Sequence, residues 1–253
     1  MFSLALWLVG PVLESALLVR ALQIGSLRRY KFFYLYVTWV LVRDLSLFPI
    51  YRFRADYYVN AYWYSQFLSV LLGCGVVWEV YRLTLSRYSG VARMARNVLA
   101  FVFILSASRI LANAWNDANW LPAKTAFDAE RDLRVVQITV LFGLIVLLAY
   151  YAIPTGRNLK GILLGYAVFL ATSVGHLSLR TSLGHAFPGF WQYLQPAAYI
   201  SVLLVWCGSL WHWAPLPESD EPTNLEEDYQ SLLAATRRRL AAAGDYVERS
   251  VRP

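Results

Sequence analysis

Long apolar runs, separated by short basic or Pro/Gly-containing breaks, constrain this chain more than any other feature. A helix advances about 1.5 Å per residue, so about 20 residues are needed to cross a hydrocarbon layer about 30 Å thick. Seven runs of roughly that length occur, at 4–22, 32–51, 58–83, 98–115, 135–153, 161–179 and 190–213. They predict an all-α, polytopic seven-transmembrane-helix bundle over residues 1–214, followed by a cytoplasmic linker and amphipathic helical tail at 215–253. Composition agrees: 58% of residues are hydrophobic and 15% charged, against about 45–50% and about 25% in a soluble domain. Disorder and a typical cytosolic enzyme are thereby excluded. The first run lacks a basic leader and carries Pro11 and Glu14, so it reads as a retained span rather than a signal peptide.

The charge pattern sets an expected orientation. With the N-terminus outside, the inner loops hold Arg28, Arg29, Lys31, Arg82, Arg87, Arg93, Arg96, Arg157 and Lys160. The outer ones hold Arg52, Arg54, Lys124, Arg131, Arg134 and Arg180. Basic residues favour the cytoplasmic side, and Arg237 to Arg239 in the tail fall there too. The net charge of +7 is thus topogenic, and nucleic acid is not an expected partner. Lysine is confined to positions 31, 124 and 160; such arginine-weighted charge points to a GC-rich genome and a bacterial inner (plasma) membrane. The polar stretch Asn116 to Arg134 reads as a connection capping the outer mouth.

In the tail, Thr223 or Asn224 offers a helix cap, with Glu226, Glu227 and Asp228 in the first turn. Leu225, Tyr229, Leu232, Leu233 and Leu240 form an apolar stripe over 225–243 that needs a partner surface, either the lipid bilayer or a protein.

Ionisable groups inside spans cost roughly 2.5–3.5 kcal/mol each, so each needs a partner or a purpose. Arg43, Asp44, Arg109, Gln137, His176 and Arg180 fall at similar depth, from the middle to the outer half of the bundle. They are the candidate ligand-binding set, and the excess of arginine predicts a cationic pocket for a small polar or anionic ligand. The alternative is that they pair across helices, for example Asp44 with Arg109, simply to hold the bundle together. Glu14, Glu79 and Arg82 are candidate structural or coupling ion pairs, Glu79 and Arg82 at i and i+3. Gly161 and Gly165 provide a small-residue face for helix packing or for self-association into a homo-oligomer.

Other chemistries lack their residues. A retinal Schiff base needs a lysine in mid-span, and none of the three lysines lies there. His176, His185 and His212 fall at different depths, which argues against a zinc site; His176 alone leaves room for a single-histidine haem. Cys74 and Cys207 each sit in an apolar run, which excludes a disulfide framework or a cysteine zinc site. No nucleotide-binding, hydrolase or kinase motif is present, so no catalytic residue and no cofactor is assigned. The leading expectation is a receptor-like sensory module that couples through its tail. The alternatives are an accessory subunit of a membrane complex and a transporter or channel for a small polar solute.

Overall fold

The computed structural model describes residues 2–85, 122–151, 155–183, 188–212 and 227–239, with further single residues among 88–112 and at 153 and 214. All regular structure among these residues is helical. Six long helices are α1 (Phe2–Ile24), α2 (Lys31–Phe53), α3 (Ala55–Thr84), α4 (Pro122–Tyr150), α5 (Arg157–Leu183) and α6 (Pro188–Leu210). Stretches within α2, α3, α4 and α5 are long and apolar enough to cross a membrane. Large apolar side chains such as Leu35, Phe48, Phe142, Val168 and Leu204 stand exposed on the outside, as a lipid-facing surface requires.

Each helix packs on the next in the chain order α1 to α6, and α6 packs back on α1, so the six close into a ring. Glu14 meets Tyr199 and Arg20 meets Trp211, which makes α1 and α6 parallel. The pair α3 and α4 is parallel as well: Gln66 meets Glu130, Gln137 meets Val70 and Cys74, and Tyr81 meets Val140. Every described residue from 90 to 112 is helical.

Lipid gives helices no hydrophobic reason to associate, so close packing and hydrogen bonds must hold them. A Cβ on Gly161 would lie 2.2 Å from Ser209 Cβ, and one on Gly165 would lie 2.3 Å from Trp206 Nε1. The small-residue face of α5 is therefore filled by α6 of the same chain, which favours the packing role over self-association. Gly73 plays the same part in α3, where a Cβ would meet the Tyr166 hydroxyl at 2.1 Å.

The helix ends at the face opposite the cavity described below are satisfied by side chains from other helices. Arg157 Nη2 donates to Gly208 O at 2.8 Å, Arg20 Nε to Trp211 O at 2.9 Å and Asn158 Nδ2 to His212 O at 3.1 Å. At the start of α2, Glu79 Oε2 accepts the Phe33 N–H at 3.0 Å and faces the N–H groups of Lys31 and Phe32. Glu79 thus caps α2 from α3, where a carboxylate also meets the positive end of the helix dipole. Its contact with Arg82 is 3.9 Å long to a side chain that is 58% exposed, so the predicted ion pair is the weaker of its interactions. Glu79→Ala leaves buried N–H groups without an acceptor and is expected to cost about 1–3 kcal/mol, with Glu79→Gln costing less. Thermal unfolding of the detergent-purified variants checks the order.

One element differs from the sequence expectation, and the tail helix agrees with it. The stretch from Pro122 to Arg134 continues α4 rather than forming a loop, because Glu130, Leu133, Arg134, Gln137, Leu141, Leu144 and Leu148 recur at helical spacing and are all buried. The tail is helical over 227–239; Tyr229 packs against the core, Tyr151 donates to Asp228 Oδ2 at 3.0 Å, and Leu232 is exposed. The proposed caps Thr223 and Asn224 lie outside the described residues.

Candidate functional site

The ring encloses a cavity of about 340 Å³ in the half of the bundle nearer the start of α1. Five helices bring polar side chains to it: α2 gives Arg43 and Asp44, α3 gives Gln66, α4 gives Glu130 and Arg134, α5 gives His176, and α6 gives Tyr199. Gly10 and Pro11 of α1 and Pro196 of α6 complete one wall. A proline within a helix leaves the carbonyl four residues before it without its usual donor. Both parallel helices α1 and α6 are so interrupted at the level of the cavity.

The charges form one connected chain. Arg43 donates through Nε and Nη2 to Asp44 Oδ1, at 2.9 and 2.7 Å. Its Nη1 donates to Gln66 Oε1. Gln66 passes the connection on, donating from Nε2 to Glu130 Oε1 at 2.7 Å, and Arg134 Nε donates to the same oxygen at 2.8 Å. The Arg134 guanidinium also stands 5.0 Å from the centre of the Phe169 ring, in cation–π contact. The two ends of this chain differ in access. Side chains of Arg43 and Asp44 are 17% and 20% exposed, whereas those of Arg134 and Glu130 are 4% and 5% exposed. Arg134 and Glu130 therefore brace the wall, and Arg43 and Asp44 are what an occupant meets.

Of the six residues expected to bind a ligand, Arg43, Asp44 and His176 line the cavity. Gln137 is not among the described lining residues. It is fully buried between α3 and α5, donating to Val70 O at 2.8 Å and Cys74 Sγ at 3.1 Å and accepting from the Tyr166 hydroxyl at 3.4 Å. Both its nitrogen and its oxygen are engaged in holding helices together. Arg109 and the side chain of Arg180 lie outside the described residues. Glu14 does not form a described ion pair; it accepts a hydrogen bond from Tyr199.

Glu130 and Arg134 are the charged lining residues the sequence reading misses. Their signal was available: a carboxylate and an arginine four residues apart, in register with the apolar stripe that continues through Gln137 and Leu141. Their inclusion changes the electrostatics. Among the described lining residues, each arginine is matched by its own carboxylate, so this part of the cavity is charge-paired rather than the cationic surface expected. Comparison with protein-family models, with curated proteins and with solved structures finds no match to this chain.

Proposed function

We propose that the chain is a receptor-like, seven-span module of a cell inner membrane that binds a small polar ligand in this cavity. The carrying observation is the Asp44–Arg43–Gln66–Glu130–Arg134 chain, with its paired charges open to the cavity at one end and sealed at the other. Pockets for small molecules are concave, largely apolar, and fitted with a few fixed polar groups. Because Arg43 and Asp44 present both signs side by side, a zwitterion or a neutral polar molecule suits the site better than a simple anion.

The parallel run of α3 and α4 supports seven crossings, since an odd number of returns must separate them. Arg134 is buried in the bundle, which leaves five of the six basic residues counted toward the outer side against nine toward the inner. That strengthens the case for an outside N-terminus and a cytoplasmic tail. The cavity then lies toward the outer face, and the tail helix, docked through Tyr229 and Asp228, is positioned to pass a change to a protein partner.

A transporter is the second reading, favoured by Pro11 and Pro196 at the cavity wall, because interrupted helices often frame a transported solute. Thermal-shift screening of the purified chain against free amino acids, small carboxylates and inorganic phosphate tests the binding site. Asp44→Asn is expected to weaken a hit at least about tenfold, the loss of one charge-assisted hydrogen bond, and, because it leaves Arg43 without its carboxylate, to lower the melting temperature of the unliganded protein as well. Binding that ignores Asp44→Asn and Arg43→Gln alike would place the ligand elsewhere. Uptake of the same hit into proteoliposomes would favour the transporter.

A further inference from the structure

Among the described residues, Glu14 is the one buried carboxylate near the wall whose described partners are neither a cation nor a helix end. It lies in the middle of α1 and is completely inaccessible to solvent. Oε1 accepts a hydrogen bond from the Tyr199 hydroxyl of α6, and Oε2 is buried with no hydrogen-bond partner among the described residues. The groups facing it are Tyr199 on α6 and Tyr36, Arg43 and Asp44 on α2. Of these only Arg43 is cationic, and its guanidinium is already committed to Asp44 and Gln66. Asp44 adds a like charge. An ionised Glu14 would therefore be an unpaired charge in an apolar interior, the state a membrane protein avoids most strongly.

We propose that Glu14 is a proton-binding site, occupied as the neutral acid, with the proton on Oε2 and the Tyr199 hydroxyl donating to Oε1. A neutral hydroxyl without an acceptor is far cheaper to bury than a charge without a counter-ion. Tyr199 is the link to the cavity, since its side chain forms part of the wall. The proton thus sits one hydroxyl away from whatever occupies the site. The assignment does not depend on that occupant's identity, nor on whether the cavity binds anything.

Infrared spectroscopy of the full chain in lipid vesicles at neutral pH reads the protonated carboxyl directly, by a carbonyl stretch that moves on exchange into deuterium oxide. One such band is expected to be absent from Glu14→Gln. Tyr199→Phe should keep the band but raise its frequency, because the carbonyl loses its hydrogen bond. Glutamine matches the neutral acid in shape and charge, so Glu14→Gln should also assemble and melt like the parent. Three results would overturn the proposal: carboxyl bands unchanged in Glu14→Gln, a loss confined to the ionised-carboxylate bands, or a Glu14→Gln protein that fails to assemble where Glu14→Asp succeeds.

Discussion

Arg134→Leu is expected to destabilise the bundle by about 3–5 kcal/mol. The substitution leaves Glu130 as a buried carboxylate, 5% exposed, with Gln66 Nε2 as its remaining donor among the described residues. A change of that size is a large part of the stability of a domain. In practice the variant should be recovered poorly from membranes and should melt far below the parent. The companion experiment separates charge from shape. Replacing both partners, Glu130→Leu with Arg134→Leu, removes the uncompensated charge and should recover most of the loss, since a buried pair is often no better than the apolar groups that replace it. If the double variant is as unstable as the single one, the pair contributes through its geometry and not through its neutrality.

Gly165→Leu is expected to prevent α5 from docking on α6. Even a single Cβ would meet Trp206 at Nε1 and at Cδ1, 2.3 and 2.7 Å away, and Trp206 is fully buried against Phe33 with ring centroids 5.0 Å apart. The indole has nowhere to move without breaking that edge-to-face contact. Overpacking by one methyl typically costs about 1–3 kcal/mol, so Gly165→Ala should already lower the melting temperature and Gly165→Leu should abolish the folded protein. Gly143 and Gly208 supply the internal control. No described atom beyond the helix's own local backbone lies within 4 Å of the position a Cβ would take there, and alanine at either site should be neutral or should gain up to about 1 kcal/mol of helix propensity. Circular-dichroism melts of the four variants in one detergent test the contrast.

The sequence was most informative where one physical requirement dominated. Spans reveal themselves because lipid demands about twenty apolar residues in a row, and α2, α3, α5 and α6 lie within a few residues of their expected limits. Arg43, Asp44 and His176 were legible as a common layer because depth follows from counting along a span. Direction around the helix axis was harder to read. Gln137 shares that layer but turns to Val70 and Cys74, and nothing in its spacing reveals which neighbours take its hydrogen bonds. Glu130 and Arg134 escape notice for the opposite reason: polarity marks their segment as a loop, although their four-residue spacing continues the buried stripe of α4. The same mutual neutralisation that lets these charges enter the bundle hides them from a search for apolar runs. Sequence spacing pairs Glu79 with its neighbour Arg82, while its main partner, the Phe33 N–H, is 46 residues away in the chain.

The central proposal is that a small polar molecule occupies the cavity between Arg43, Asp44 and His176. Native mass spectrometry of the chain, released gently from its own membrane, addresses it in a single spectrum. A lone chain carrying a small additional mass, lost in Asp44→Asn and kept in Gly143→Ala, is the expected result. A bare chain seen only in stoichiometric assembly with other proteins, with no small molecule retained by wild type or variant, would contradict it and make the chain a structural subunit.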